Sequence, residues 1–251
     1  MERWAGRVAL VTGASAGIGA SLARRLVAHG MLVVGAARSL ERVQAIAEEL
    51  KGQPGSLIPM KCDLTKDDQV LDMFARIKQE LGGVDVCINN AGMAVYKSLL
   101  EGTPEDWRKM LDLNVVALCL CTREAVASMK ERGVDGHIIH INSILGHRVI
   151  PLSNIHYYGG TKQMVTALTE ALRQELRQAN SNIRISSISP ASVETEFAMR
   201  AGLSAEEARK FYQERSNLQA DDVTDSLIHA LSAPPHVQVH DIMLRNIKSI
   251  N

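Results

Sequence analysis

The chain has 251 residues, of which 46% are hydrophobic, and its 28 basic residues are balanced by 28 acidic ones. This composition supplies a sizeable core and excludes a disordered chain, while the balanced charge excludes the basic surface that recruits nucleic acid or an acidic membrane. No apolar run approaches the roughly 18 residues that a membrane span requires, so we expect neither a nucleic-acid partner nor a membrane span.

Short apolar runs alternate with longer amphipathic stretches, which is the pattern of repeated βαβ units and a parallel sheet. Up to residue 92 we predict strands at 8–13, 31–37, 57–63 and 84–92, separated by helices at 21–30, 40–51 and 67–81. Further along we predict a helical region at 104–132, a strand at 136–143, a helix at 158–179, a strand at 183–190 and a last short strand at 240–245.

These elements predict one α/β domain over residues 1–251. Its fold class is a Rossmann-type doubly wound parallel sheet of about seven strands with helices on both faces, a three-layer αβα sandwich. One stretch does not fit the alternation, because the charged and helix-prone residues 196–219 fall between the sixth strand and the last helix. We expect a mobile substrate lid there, near 194–219.

The first strand is followed by TGASAGIG, which places Gly13, Gly17 and Gly19 at a strand-to-helix turn. Glycines at such a turn allow a tight bend and a close approach of phosphate, and the helix N-terminus offers unpaired N–H groups. Their spacing differs from the G-x-G-x-x-G fingerprint, since three residues separate the first two glycines. The context nevertheless predicts a dinucleotide site.

Arg38 follows the second strand, at the position where an NAD site would show a carboxylate. A carboxylate would repel a 2′-phosphate, whereas an arginine can bind it through charge-assisted hydrogen bonds. We therefore predict NADP(H) as the cofactor. The alternative is that Arg38 is a solvated surface residue.

The stretch YYGGTK contains two tyrosines ahead of one lysine. In a helix, side chains four residues apart share a face, so Tyr158 can meet Lys162 and Tyr157 cannot. Gly159 and Gly160 weaken the first turn of that helix. We suggest that these small residues keep the turn slim where substrate and cofactor crowd the tyrosine.

Five motifs occur in chain order: TGASAGIG, NNAG at 89–92, Asn114 in LNVVA, Ser143 in INSILG, and the Tyr158 and Lys162 pair. On these motifs the chain resembles the short-chain dehydrogenases/reductases along essentially its whole length. More narrowly, stretches such as GVDVCINNAG resemble the farnesol dehydrogenase group of insects and its vertebrate relatives.

The resemblance implies a catalytic role for four residues. Tyr158 would exchange a proton with the substrate oxygen while hydride moves to or from the nicotinamide, and the Lys162 ammonium would lower the tyrosine pKa. Ser143 would hydrogen-bond the substrate oxygen, and Asn114 would anchor a proton-relaying water. Lys162 would also bind the nicotinamide ribose.

The resemblance also implies a set of cofactor contacts around the glycine loop. These residues are Ser15, Ala16, Gly17 and Ile18 at the phosphates and ribose, Asp63 and Leu64 at the adenine, Asn90, Ala91 and Gly92 at the adjacent ribose, and Pro190, Val193 and Thr195 along the nicotinamide. We include Ser39 in the predicted cofactor site together with Arg38.

Three features depart from the family pattern. Ala191 stands where glycine is usual, and it would be strained if that backbone had a positive φ. The interval from Ser143 to Tyr158 is 15 residues, which is longer than is common, so that the usual count selects Leu145 and only the S-x-x-G match selects Ser143. The chain also ends soon after the seventh strand, which weakens any inference of a tetramer.

We expect an apolar alcohol or carbonyl substrate, because the segments around the site are apolar. The lining residues would be Met93, Val95, Leu145, Ile150, Pro151, Phe197 and Met199. Farnesol and related prenyl alcohols follow from the resemblance, while ketosteroids or dicarbonyls fit the composition equally well. The alternative function is a catalytically quiet NADPH-binding sensor that uses 196–219 to engage a protein partner.

The four cysteines lack a C-x-x-C pairing, and the amino terminus carries charges where a signal peptide needs a long apolar run. His137 and His140 would point to opposite faces of one strand. We therefore expect a cytoplasmic protein without a metal site. A homodimer or homotetramer is expected by analogy, with helices 104–132 and 158–179 at the dimer face.

Overall fold

Seven strands form one parallel sheet in the computed structural model, which describes residues 1–249. The strands are β1 (Val8–Thr12), β2 (Leu32–Ala37), β3 (Ser56–Lys61), β4 (Val86–Asn89), β5 (His137–Ile141), β6 (Arg184–Pro190) and β7 (Asp241–Leu244). Their order is β3-β2-β1-β4-β5-β6-β7, and neighbouring strands are parallel throughout. The predicted fold class is confirmed.

Helices connect the strands and cover both faces of the sheet. They are α1 (Gly17–Ala28), α2 (Leu40–Glu49), α3 (Asp67–Leu81), α4 (Pro104–Leu111), α5 (Ala117–Arg132), α6 (His156–Gln178), α7 (Phe197–Arg200), α8 (Ala205–Gln213) and α9 (Ala220–Ser232). A π-helical turn, Asp112–Val116, joins α4 to α5, so the predicted region 104–132 is helical throughout. Within residues 1–249, no helix combines the length and apolar character needed to cross a bilayer.

The sheet separates two apolar cores, which β1 illustrates. Ala9 and Val11 point into a core with α1, α2 and α9, while Val8 and Leu10 point into a core with α3, α5 and α6. All five residues of β1 are buried because both faces of a parallel sheet are covered. This is why VALVT reads as one continuous apolar run.

The prediction for the first helix was wrong at its start. We predicted 21–30, but α1 begins at Gly17, inside the glycine loop, and ends at Ala28. The sequence GIGA contains no alternation of apolar and polar residues that would mark a helix, because its small residues pack against the loop. Gly30, with φ +82°, terminates the helix: its N–H donates to the Val27 carbonyl at 2.9 Å, and the Met31 N–H donates to the Leu26 carbonyl at 3.1 Å.

The strand order reverses between β1 and β4, so the connections from these strands leave in opposite directions. A crevice forms at such a point, outside the carboxyl ends of the strands. The glycine loop after β1, the NNAG segment after β4, Ser143 after β5 and the residues after β6 all lie at this edge of the sheet.

Candidate active site

The glycine loop between β1 and α1 is closely packed at its glycine positions. A Cβ atom at Gly19 would lie 2.3 Å from the Gly13 carbonyl oxygen, and both Gly13 and Gly17 have positive φ. Ala16 precedes α1 and provides no side-chain cap, so the first N–H groups of the helix remain open to an anion. Half-buried Ser15 and Ile18 border the same turn. The loop fits a dinucleotide pyrophosphate.

The NNAG segment is bonded directly to the glycine loop. Asn90 Nδ2 donates to the Thr12 carbonyl at 2.8 Å and to the Gly13 carbonyl at 3.3 Å. The Thr12 hydroxyl accepts from the backbone N–H groups of Asn90 and Ala91, each at 3.0 Å. Asn90 therefore fixes the position of the loop backbone. Thr12 supports the same arrangement, although the sequence motifs do not single it out.

The end of β2 presents the residues predicted for the 2′-phosphate and the adenine. Arg38 is exposed, and Ser39 begins α2 without making a side-chain cap. Burial acts to raise the pKa of Asp63, but hydrogen bonds from Thr65 and the charge of Arg38 prevail and lower this pKa. Leu64 is buried next to it. Arg38 and Asp63 thus follow the carboxyl ends of the neighbouring strands β2 and β3, and the charge of Arg38 acts on Asp63.

Tyr158 and Lys162 lie on one face of α6, as their four-residue spacing predicts. The Lys162 Nζ atom lies 5.8 Å from the centroid of the Tyr158 ring and donates to the Ile141 carbonyl at 2.8 Å. Both side chains are buried. Tyr157 points elsewhere and stacks on Trp107, with 5.5 Å between ring centroids.

The electrostatic effect predicted for Lys162 is not what the structure shows. Burial raises the pKa of Tyr158, with a further contribution from Tyr96, and hydrogen bonding to Ser143 offsets this only in part. Burial also lowers the pKa of Lys162 to about 8. The expectation that the ammonium makes the phenol acidic is therefore wrong for the protein alone, because desolvation is the largest influence on the pKa of Tyr158. In this state Tyr158 is a protonated donor.

Ser143 supplies the hydroxyl that faces Tyr158, although the usual residue count selects Leu145. Ser143 precedes the short 3-10 turn Ile144–Gly146, and its Oγ accepts from the Leu145 N–H at 3.2 Å. The Leu145 side chain packs in an apolar cluster with Tyr158. The loop before α6 accommodates the longer interval.

Asn114 lies in the π-helical turn and is almost fully buried. Its Nδ2 donates to the Met93 carbonyl at 2.8 Å and to Thr161 Oγ1 at 3.0 Å, and its Oδ1 accepts from the Met93 N–H at 2.8 Å. A Cβ atom at Gly92 would lie 3.4 Å from Asn114 Oδ1 and 3.8 Å from Lys162 Nζ. The amide oxygen of Asn114 and the ammonium of Lys162 thus both lie close to Gly92, and π-helical turns often occur at functional sites.

The chain beyond β6 returns to the glycine loop. Pro190 ends β6, and the Ala191 N–H donates to the Leu244 carbonyl at 2.8 Å. Among residues 1–249, Asn180 is the one non-glycine residue with a positive φ, so Ala191 carries no such strain. Val193 pairs with Leu218. Thr195 then packs against Gly17, where a Cβ atom would lie 3.1 Å from Thr195 Cγ2.

An apolar cluster surrounds Tyr158. Five of the seven predicted lining residues belong to it: Met93, Val95, Leu145, Ile150 and Phe197. Pro151 is exposed and Met199 is 40% exposed, and neither is part of the cluster. The Phe197 ring, from α7, lies 5.7 Å from the Tyr158 ring. The region 196–219 therefore contributes directly to the surroundings of the tyrosine.

Three aromatic residues of this cluster were missing from the sequence prediction: Tyr96, Trp107 and Tyr157. The backbone N–H of Tyr96 donates to the Ala201 carbonyl at 3.4 Å, and burial raises the pKa of Tyr96 to about 12. Its position just after NNAG, at the carboxyl end of β4, could have revealed it. Trp107 gives no such signal, because helical periodicity does not tell a sheet-facing side from a pocket-facing one.

The two glycines of the first α6 turns are not required by any close contact within residues 1–249. A Cβ atom at Gly159 would lie at an ordinary 3.7 Å from Leu145 Cβ, and one at Gly160 would have nothing within 4 Å. Protein packing therefore does not explain the pair. The suggested crowding by substrate and cofactor stays a prediction.

A proton donor, its hydroxyl partner and a dinucleotide cradle thus converge at the carboxyl ends of four neighbouring strands. Binding a dinucleotide beside a protonated phenol is what an oxidoreductase of the Rossmann class requires. The apolar cluster shows in addition where a substrate could approach that phenol.

Comparison with known proteins gives the family. The family model described as short chain dehydrogenase matches residues 7–206. The chain is 54% identical to dehydrogenase/reductase SDR family member 11 of Gallus gallus, over the full length of both, and 42% identical to farnesol dehydrogenase of Aedes aegypti, over 98% of both. It therefore belongs to the short-chain dehydrogenases/reductases, whose members bind a nicotinamide cofactor.

Solved structures agree with this assignment. An alcohol dehydrogenase from the archaeon Thermococcus sibiricus, in complex with 5-hydroxy-NADP, superposes with a TM-score of 0.83. The two chains are 28% identical, and the match covers 96% of this chain and 97% of the other.

Proposed function

We propose that this protein is an NADP(H)-dependent alcohol dehydrogenase/carbonyl reductase that interconverts an apolar alcohol and its aldehyde or ketone. The observation that carries this proposal is the buried Tyr158, which lies between Ser143, Lys162 and an apolar cluster at the mouth of a dinucleotide crevice.

Each residue of the site has its own role in the proposed reaction. A bound nicotinamide cofactor supplies or accepts the hydride. Tyr158 gives its proton to the carbonyl oxygen during reduction and takes it back during oxidation, while Ser143 hydrogen-bonds the same oxygen. Lys162 and Asn114 fix the polar side of the site, and the apolar cluster keeps water away from the phenol.

NADP(H) preference is supported by Arg38, which is exposed at the end of β2. A charge-assisted hydrogen bond is worth about 1.5–3 kcal/mol, which corresponds to a roughly ten- to hundredfold preference for NADPH over NADH. Dissociation constants and kcat/KM for both cofactors test this directly. Equal values, or an unchanged preference in Arg38→Ala, would remove Arg38 from the argument.

Farnesol or another prenyl alcohol is the substrate that the relatives support, since one of them is named farnesol dehydrogenase. Ketosteroids and dicarbonyls are the alternative substrate class. The test is a screen of NADPH oxidation with prenyl aldehydes, ketosteroids and dicarbonyls, combined with NADP+ reduction by farnesol. Turnover of the prenyl pair alone would support the first class.

Tyr158→Phe tests whether the protein is an enzyme or a catalytically quiet NADPH-binding sensor. The variant keeps the ring that packs against Phe197 but removes the phenolic hydroxyl that would donate the proton. An enzyme should lose orders of magnitude in kcat and still bind NADPH. A sensor would show no turnover with either form of the protein.

We also propose a homodimer or homotetramer that uses the outer sides of α4, α5 and α6. Exposed apolar side chains support this face, with Val116, in the π-helical turn between α4 and α5, 50% exposed and Met164 of α6 44% exposed. Residues 194–219 would act as the substrate lid of a single domain. Sedimentation of the wild-type chain and of Met164→Glu tests the proposed interface.

A further inference from the structure

An ion pair links the region after β6 to α2. Arg42 Nη1, in the first turn of α2, lies 3.0 Å and 2.8 Å from the two carboxylate oxygens of Glu196. Glu196 also pairs with Arg200 of α7 at 2.9 Å. The hydrogen bond from Arg42 is the main cause of a lowered pKa at Glu196. Arg42 and Glu196 are 154 positions apart in the chain.

The position of this pair relative to the glycine loop shows what it spans. Thr195 packs against Gly17 in the loop, and the next residue, Glu196, is held by α2. The chain therefore runs from the glycine loop to the first turn of α2. Both points follow the carboxyl ends of β1 and β2, where the glycine loop and Arg38 lie and where cofactor phosphates would sit.

The base of this segment is paired with the residues that immediately precede α9. Val193 pairs with Leu218, the Glu194 N–H donates to the Leu218 carbonyl at 2.9 Å, and the Leu218 N–H donates to the Ser192 carbonyl at 2.9 Å. Glu196 lies just beyond this fixed base. Its side chain is 38% exposed, so the ion pair can break and re-form without disturbing the core.

We infer that Arg42 and Glu196 form a clasp that closes over the phosphates of the bound cofactor and slows its release. This inference rests on the dinucleotide site of the proposed function and adds two positioning residues to it. Exposed ion pairs are weak, so removing the clasp should accelerate cofactor release by about two- to fivefold. Because both cofactors contain the pyrophosphate, the same factor is expected for NADH and NADPH.

The test measures release rates by stopped flow. The complex of the full chain with NADPH is mixed with excess NADP+, and the loss of NADPH fluorescence gives the dissociation rate; NADH with excess NAD+ is treated likewise. The variants are Glu196→Gln, Arg42→Glu and the swap Arg42→Glu/Glu196→Arg. Glu49→Gln is the control, because it breaks the exposed Arg24 and Glu49 pair between α1 and α2, which is 2.7 Å long and away from this segment.

The expected result is faster release of both cofactors in each single variant, release closer to the wild-type rate in the swap, and no change in Glu49→Gln. An unchanged or slower rate in Glu196→Gln would overturn the clasp alone, as would acceleration confined to NADPH, which would indicate contact with the 2′-phosphate instead. Failure of the wild-type chain to bind either cofactor would overturn both the clasp and the proposed function.

Discussion

The hydroxyl of Thr161 connects the Asn114 amide to the backbone of Tyr158. It accepts from Asn114 Nδ2 at 3.0 Å and donates to the Tyr158 carbonyl at 2.7 Å. Since the second Nδ2 hydrogen is donated to the Met93 carbonyl, these bonds fix the amide orientation, with Oδ1 accepting from the Met93 N–H close to Gly92. Thr161 is thus a positioning residue that no sequence motif marked.

Thr161→Val should therefore lower kcat by about tenfold, because the Asn114 amide loses one partner and can rotate away from Lys162. NADPH affinity should change little, since Thr161 does not line the glycine loop. Steady-state kinetics and NADPH titration measure the two effects. Thr161→Ser retains the hydroxyl and should keep most of the activity, and an equal loss in both variants would contradict the positioning role.

Lys162→Met should stabilise the protein while abolishing activity. Burial lowers the pKa of Lys162 from 10.5 to about 8, so the folded state bears the cost of a buried charge below pH 8. Between pH 8 and 10.5 the native lysine is neutral while the unfolded one still holds its proton, and the cost fades. Urea unfolding should show a gain of up to about 3 kcal/mol at pH 7 that disappears near pH 10.5.

The matched control for that experiment is Lys210→Met, since the Lys210 side chain is 75% exposed. No pH-dependent gain is expected from it. Suppose instead that Lys162→Met is no more stable than the wild type at pH 7. The hydrogen bond from Lys162 to the Ile141 carbonyl would then offset the cost of desolvating the ammonium, and the pKa of Lys162 would not be lowered.

Much of the fold and the placement of Tyr158 with Lys162 could be predicted because local patterns determine them. Continuous apolar runs mark buried parallel strands, and the four-residue spacing alone places Tyr158 with Lys162. The sign of the Tyr158 pKa shift could not be predicted, because it depends on how completely the fold removes water from the phenol. The Arg42 and Glu196 pair was also beyond prediction, because no local pattern joins residues so far apart in the chain.

A buried chain of hydrogen bonds runs beneath the site and fixes the protonation of His140. The Thr169 hydroxyl donates to the Val165 carbonyl at 2.7 Å, so it must accept from His140 Nδ1 at 2.8 Å. His140 Nε2 is then an acceptor from the Thr122 hydroxyl at 3.2 Å, which in turn accepts from Asn89 Nδ2 at 2.9 Å. A neutral imidazole that carries its proton on Nδ1 satisfies every bond in this chain.

Acidification should therefore destabilise the protein through His140. Burial lowers the pKa of His140 to about 3, with a smaller contribution from the charge of Lys162. Below pH 6.5 the unfolded state gains a proton that the native state does not, which costs about 2 kcal/mol by pH 5. In His140→Asn the difference in unfolding free energy between pH 7 and pH 5 should shrink by that amount. The exposed His236→Asn is the control and should leave the difference unchanged.

Two glycine-to-alanine substitutions should differ in outcome: Gly19→Ala should weaken NADPH binding, whereas Gly160→Ala should stabilise the protein. In Gly19→Ala the new methyl would lie 2.3 Å from the Gly13 carbonyl oxygen and 2.6 Å from Asn90 Nδ2, so the loop must open. NADPH affinity should fall at least about tenfold, because the phosphate cradle loses its shape. In Gly160→Ala the methyl meets no atom within 4 Å, and because position 160 is an exposed helical position the protein should gain about 0.5–1 kcal/mol of stability.

The second variant also decides why α6 begins with a glycine pair. If Gly160→Ala unfolds at a higher urea concentration and keeps its kcat/KM, the residue at 160 is not needed for ligand access. If the same variant is more stable yet loses about tenfold in kcat/KM, a bound substrate or cofactor must occupy the space beside the turn, since no described protein atom does. Stability and turnover measured on one sample separate these outcomes, because a folding defect would lower both.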